Sequence, residues 1–194
     1  MPHRAFIGIG SNLGDRAGNY REAIARLQAL PETRLVRQSS IYETEPLGLV
    51  RGSGPFLNGV VEVETDLEAP ALLARLQAIE RMMGRKRVRG RKPRARGPYR
   101  PRIIDLDLLF FDKEVIDSRN LQVPHPHLHE RRFVLVPMSE LAPALMHPKL
   151  NHSISELLAA LKTPERVTLM RAELLRPPRA PVAPQVPRHS PIRG

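Results

Sequence analysis

The sequence contains no cysteine. A disulfide framework, a thiolate metal site and a cysteine nucleophile are therefore all excluded, and a reducing compartment suits such a chain. Aromatic residues make up only 4% of the chain. The first and third expected strands carry no paired exposed aromatics, so a base-stacking platform of the kind many RNA-binding sheets use is not evident. Long apolar runs are absent too. The stretch 5–9 is short and broken by Gly8 and Gly10, so it is neither a signal peptide nor a membrane span. A soluble cytoplasmic protein is expected. Acids are outnumbered, with 20 Asp and Glu against 31 Lys and Arg, giving a formal net charge of +11. That imbalance suggests a polyanionic partner without choosing among nucleic acid, an anionic membrane surface and polyphosphate.

What is present is unevenly distributed. Ten Lys and Arg residues and no acids lie between Arg85 and Arg102. From Arg176 the sequence is rich in proline, poor in large apolar groups and without acids, which predicts a disordered tail. At 194 residues the chain suits one domain, expected over 1–162, followed by a basic, Pro-rich extension over 163–194.

Residues 4–9 read as a strand that ends at Gly10-Ser11-Asn12, with Asp15 capping the next helix. In that helix Tyr20, Ile24, Leu27 and Leu30 recur at helical spacing and Pro31 ends the run. The β-branched stretches 35–44 and 56–65 predict the second and third strands, joined by a Gly- and Pro-rich loop. A second helix follows, with Pro70 in its first turn, Leu72, Leu76, Ile79 and Met83 on one stripe, and Gly84 as its stop. Residues 103–111 form the fourth strand. The order β-α-β-β-α-β predicts an α+β fold, a ferredoxin-like sandwich. A short hairpin over 114–116 and 121–123 and helical pieces near 137–141 and 153–161 complete it.

Asp105-Leu106-Asp107 carries the chemistry. Side chains two apart on a strand share a face, so both carboxylates point one way while Ile104, Leu106 and Leu108 point into the core. Two carboxylates about 7 Å apart at their Cα atoms can converge on a pair of divalent cations in the oxygen-rich setting magnesium prefers. Taken alone, the pair is equally a solvated strand face. The basic segment before it could be solvated or bind nucleic acid, but arginines beside a carboxylate pair make sense when a metal-bound polyphosphate lies between them.

Two other patterns are set aside. Gly8-Ile9-Gly10-Ser11-Asn12-Leu13-Gly14 has the wrong spacing for a dinucleotide fingerprint, and a tight strand-to-helix turn accounts for its glycines. His125, His127 and His129, interleaved with Pro126 and lacking a spaced partner group, make a poor tetrahedral zinc site.

Several separate blocks occur together in order: Ile7 to Asp15, Ser40 to Gly48, Phe56-Leu57-Asn58, Gln77 to Glu80 with Gly84-Arg85, Pro101 to Leu108, and Val123 to Pro126 with Glu130-Arg131. In these blocks the chain resembles the 6-hydroxymethyl-7,8-dihydropterin pyrophosphokinase (2-amino-4-hydroxy-6-hydroxymethyldihydropteridine diphosphokinase) family over about 5–161. The resemblance implies transfer of diphosphate from the co-substrate ATP to the pterin hydroxymethyl group in tetrahydrofolate biosynthesis. It also implies two Mg2+ ions on Asp105 and Asp107, with Arg85 and Arg102 approaching the phosphates from a mobile loop as the catalytic arginines. ATP contacts are implied for Gln77, Glu80, Arg87, Leu108, His125 and Arg131. Pterin contacts are implied for Thr44, Leu47, Phe56 and Asn58, with the ring stacked between Phe133 and Tyr99. The loop 87–102 is longer and more basic than in shorter family members, Tyr99 stands where a Trp is often found, and Arg100 stands where the family has Gly. A monomer acting on two small molecules is expected. A basic ferredoxin-like nucleic-acid-binding module is the competing reading.

Overall fold

The computed structural model describes residues 1–45, 54–84 and 102–170. Strand β1 (His3–Ser11) leads through α1 (Arg16–Gln28) to β2 (Thr33–Gln38), β3 (Tyr42–Thr44) and β4 (Phe56–Thr65). Helix α2 (Ala69–Met82) and strand β5 (Asp105–Phe111) come next. A two-stranded ribbon of β6 (Ile116–Asp117) and β7 (Gln122–Val123) follows. After a 3-10 turn over Leu128–Glu130 come α3 (Arg132–Leu141), α4 (Ile154–Ala160) and β8 (Val167–Leu169).

Local chemistry explains the helix boundaries. The Asp15 carboxylate accepts from Gly18 N–H at 2.9 Å and caps α1, as the sequence predicts. Tyr20 and Leu27 of that helix are buried, and Ile24 and Leu30 pack beside them. Proline in the first turn starts α2, and Gly84 at φ +94° closes it in a conformation that favours glycine. Ser153 and Glu156 form a capping box on α4. Helix α3 begins five residues before the expected 137, because Pro137 lies inside it and no side chain of its own caps its start.

The main sheet runs β5-β1-β4-β3-β8, with β2 also paired to β4, and every pairing is antiparallel. The expected single strand over 35–44 is in fact two. Its break is at Ser39, whose N–H bonds Val60 O and whose hydroxyl accepts from Val60 N–H, both at 2.9 Å. The serine thus keeps the chain on β4 while interrupting the ladder. Strand β8 lies in the stretch read as an extension and was not foreseen; it pairs Val167 with Thr44 and Leu169 with Tyr42.

Both faces of the sheet are covered. On one face Ile7, Ile9, Val61, Val63, Leu106 and Leu108 pack against α1 and α2. On the other, Phe6, Val60, Leu109 and Phe110 pack against Val134, Leu135, Met138 and Ile154. A register shift between Phe6–Phe110 and Ile7–Leu108 turns both Leu109 and Phe110 toward this second core. Alternation along β4 therefore does not separate a wet face from a dry one. Its Glu62 is buried between Arg4 and Arg37, at 2.6 Å and 2.5 Å.

Gly59 marks the tightest approach in the first core, since a Cβ there would meet the Tyr20 hydroxyl at 2.2 Å. That hydroxyl is buried and has no hydrogen-bond partner among the described residues. Gly59→Ala is expected to destabilise the fold by about 1–3 kcal/mol through overpacking. Tyr20→Phe should be neutral or stabilising alone and restore part of the loss in the double variant, as read by chemical denaturation of all four proteins.

Candidate active site

The glycines of β1 decide where a site can form. Gly8 and Gly10 are inside the strand rather than in the tight turn expected of them, and of that run only Gly14, at φ +66°, adopts a turn conformation. Gly8 pairs with Val60 and Asp107, and Gly10 with Asn58 and Asp105. Directly opposed residues of antiparallel strands share a face. A floor without side chains therefore runs between the carboxylates of β5 and the amide of β4. Cβ atoms would intrude on it, meeting Asn58 Oδ1 at 3.2 Å from Gly10 and Leu109 Cδ1 at 3.4 Å from Gly8.

Helix α3 covers only part of this face, and the uncovered part is a cleft. Its lining includes Thr44, Phe56 and Asn58 on the β3–β4 side, Asp105 and Asp107 on β5, and Phe133 at the start of α3. These are six of the residues expected at the site, brought together from four elements. Asn58 Nδ2 donates to Thr44 Oγ1 at 2.7 Å, and Asn58 and Thr44 are both buried. Arg131 lies over the Phe133 ring, 5.7 Å from its centroid, and its Nη1 is 4.0 Å from Asp107 Oδ2. Glu45 and Glu165 also line the cleft and were missed. Glu165 comes from the far end of the chain, and nothing in its local sequence signals the approach.

The carboxylate pair behaves as its spacing predicts. Leu106 and Leu108 are buried in the core while Asp105 and Asp107 face the cleft. Asp107 keeps one side open to the cleft but is otherwise enclosed by protein. That burial, with the like charge of Asp105, pushes its pKa up to about 7, against the opposing pull of Arg131 and Arg102. Arg102 makes an ion pair with Asp105. Its backbone is clamped by Asn12, which bonds Arg102 O through its N–H and Arg102 N–H through Oδ1, at 3.1 Å and 2.6 Å. Ser11 Oγ donates to Ile103 O at 2.6 Å beside it.

Other expected residues stand around this centre. Glu80 is buried on α2 and its Oε1 accepts from Leu106 N–H at 2.9 Å, covering the outer edge of β5. Gln77 lies half-buried one turn earlier on the same helix. The side chain of Leu108 is in the core, which leaves only its backbone for a nucleotide. His125 N–H bonds Leu109 O at 2.9 Å, and its Nδ1 accepts from His127 N–H at 3.2 Å, which puts the ring proton on Nε2. Burial, Arg131 and His127 lower the His125 pKa to about 4, so this ring is a neutral donor. Leu47, Arg85, Arg87 and Tyr99 lie outside the described residues.

A like-charged pair on an oxygen-rich floor fits magnesium, which takes one or two carboxylates and completes its shell with water and substrate phosphate oxygens. No helix among the described residues is long and apolar enough to cross a membrane.

Comparison with known proteins identifies the family. The family model described as 7,8-dihydro-6-hydroxymethylpterin-pyrophosphokinase (HPPK) matches residues 6–143. The chain belongs to this family. The 2-amino-4-hydroxy-6-hydroxymethyldihydropteridine pyrophosphokinase of Pseudomonas aeruginosa is 41% identical over 160 residues, 82% of this chain and 93% of that protein. The protein of the same name from Bacillus subtilis is 42% identical over 142 residues, 73% of this chain and 79% of its own. Among solved structures, an HPPK-DHPS in complex with substrates superposes with a TM-score of 0.61 at 14% identity, over 82% of this chain and 43% of that one. The likeness to that structure is one of fold, and the chain spans less than half of it. Family membership does not favour the nucleic-acid-binding alternative.

Ionising Asp107 is disfavoured in the folded state relative to an unfolded chain, where a carboxyl titrates near its ordinary value. The penalty grows as pH rises from about 4 to about 7 and is complete above that. Asp107→Asn should therefore raise the melting temperature of the ligand-free protein at about pH 8, with a smaller gain at about pH 5, where much of the penalty is absent. Thermal melts at the two pH values check this, and an unchanged or lower melting temperature at the higher pH would contradict it.

Proposed function

We propose that this protein transfers the β,γ-diphosphate of ATP to the hydroxymethyl group of 6-hydroxymethyl-7,8-dihydropterin, as a pyrophosphokinase of tetrahydrofolate biosynthesis. The observation that carries the reading is that the carboxylate pair and a slot of aromatic and amide groups share one cleft. A flat heterocycle needs an apolar slot with a few polar readers, and a triphosphate needs cations opposite fixed carboxylates. The hydroxymethyl oxygen attacks the β-phosphorus, forming the new O–P bond. The bond from the β-phosphorus to the α,β-bridging oxygen breaks, AMP leaves, and the hydroxyl proton is lost.

In this reading Phe56 and Phe133 hold the ring and Thr44 and Asn58 read its edge, while Leu47 and Tyr99, the other expected pterin contacts, lie outside the described residues. Asp105 and Asp107 would hold two Mg2+ ions, which neutralise phosphate charge and align the triphosphate when bound. The Arg102–Asp105 ion pair supports this, because the guanidinium already sits beside the carboxylate pair, where positive charge is wanted. Arg85, Arg87 and Arg131 add positive charge, His125 donates from Nε2, and Gln77, Glu80 and the Leu108 backbone frame the nucleotide. Chemistry of this kind rests on positioning and charge neutralisation rather than on a covalent catalyst.

The finer readings of fold and setting belong to the same proposal. A ferredoxin-like topology is supported by the first and last strands of the β-α-β-β-α-β run lying side by side, with the third between the first and the second. The domain expected over 1–162 takes in β8 (Val167–Leu169) as well, since that strand pairs with β3, and the tail expected from about 176 lies outside the described residues. The protein acts as a cytoplasmic monomer on two small molecules, with no specific nucleic-acid partner.

Incubation with ATP and Mg2+ should yield AMP only when the pterin is present. Asp107→Ala should abolish that yield, and Asn58→Ala should raise the KM for pterin by about tenfold or more while leaving the KM for ATP nearly unchanged. ADP as the nucleotide product, or AMP formation indifferent to pterin, would refute the assignment.

A further inference from the structure

Glu165 is in a part of the chain where no site residue was expected. It follows α4 on the way to β8, and half-buried and exposed residues alternate from Thr163 to Thr168, the pattern of an extended segment against the body of the protein. Thr163, Glu165 and Val167 are on the inward side. Pairing of Val167 with Thr44 fixes this segment beside the end of β3, which brings Glu165 into the cleft that holds Thr44, Phe56, Asn58 and Phe133.

The two carboxylate oxygens of Glu165 have different surroundings. Oε2 accepts from Arg132 N–H at 2.9 Å, at the start of α3, a helix with no capping side chain of its own. Oε1 is buried and has no hydrogen-bond partner among the described residues. A buried carboxylate oxygen without a donor is costly, and such an orphan in a native fold calls for a reason. Capping the helix uses Oε2, and although the neighbouring Phe133 N–H also acts on the carboxyl, it does not reach hydrogen-bond geometry with Oε1. Burial also raises the carboxyl's pKa, although the Arg132 and Phe133 N–H groups pull it down.

We infer that Glu165 is a pterin-binding residue, anchored through Oε2 at the N-terminus of α3 and presenting Oε1 as acceptor to an N–H group on the edge of the heterocycle. The inference rests on the proposed pterin substrate. A 2-amino-4-oxopyrimidine edge carries several N–H donors and matches an acceptor of this kind. Asn58 gives one of its two N–H donors to Thr44, and its Oδ1 faces the bare strand at Gly10, so the cleft's other edge reader offers an acceptor as well. Phe133 directly follows the Arg132 amide that Glu165 holds, so one carboxylate both fixes the start of the helix carrying the ring partner and reads the ring. Binding of the ring would displace the packing that shields Oε1 in the ligand-free protein.

The experiment measures binding of 6-hydroxymethylpterin and of a non-hydrolysable Mg-ATP analogue by calorimetry, for the full native chain, Glu165→Gln and Glu165→Ala, with a thermal melt of each. The amide oxygen of Glu165→Gln can still cap α3 but leaves no second acceptor. The expected result is pterin binding about tenfold or more weaker in both variants, nucleotide binding unchanged, and Glu165→Gln melting close to the native protein. If Glu165→Gln binds pterin as the native chain does and only Glu165→Ala is weakened, with a lowered melting temperature, the residue is a helix cap and the inference is overturned. If the native chain binds no pterin, the proposed substrate itself fails, and the role of Glu165 with it.

Discussion

Two carboxylates held side by side on a strand repel each other, and the structure keeps them there without neutralising them fully. Asp105 and Asp107 cannot turn away, because Leu106 between them and Leu108 beyond are locked in the core under α1 and α2. The backbone that carries them is secured on its outer edge as well, by Glu80 at Leu106 N–H and His125 at Leu109 O. Arg102 and Arg131 offset part of the repulsion, yet burial, together with the like charge of Asp105, still holds the Asp107 pKa up at about 7. A site with this residual repulsion is poised for a stronger cation than an arginine, and stability is given up locally for that readiness.

Room for a substrate beside the pair is created by omission. Gly8 and Gly10 leave the middle strand bare where its neighbours carry Asn58 on one side and the aspartates on the other. The same sheet face, a few residues along, is filled by Phe6, Val60, Leu109 and Phe110 under α3 and α4. One continuous surface is thus half core and half cleft. The boundary is at Leu109 and Val134, which belong to the second core and also line the cleft. The register shift in β5 matters here, since it turns Leu109 toward the second core just after the last cleft-facing aspartate.

Much of this was legible in the sequence wherever the signal was local. The i, i+2 spacing of the aspartates determines their common face whatever the neighbouring strands do, and the capping chemistry of Asp15, Pro70 and Gly84 marks α1 and α2 closely. Signals that depend on partners distant in the chain were not legible. Gly8 and Gly10 look like turn glycines until cross-strand pairing puts a carboxylate and an amide on either side of them. Ser39 divides one apparent strand in two by a side-chain bond to a residue 21 positions away. Pro137 read as a helix start although the helix begins before it. Glu165 reaches the cleft only because β8 pairs with β3, and a stretch of three residues carries too little pattern to announce a strand.

The central claim is that metal, phosphates and pterin meet in one cleft, with the reacting hydroxymethyl group next to the aspartate pair. Its most direct test substitutes Mn2+ for Mg2+ and follows paramagnetic relaxation of the pterin hydroxymethyl protons in the complex with a non-hydrolysable ATP analogue. Strong Mn2+-dependent relaxation in the native protein, lost in Asp107→Ala while the pterin stays bound, is the predicted result. Pterin bound with its hydroxymethyl protons unaffected by Mn2+ would place the metal elsewhere and contradict the account.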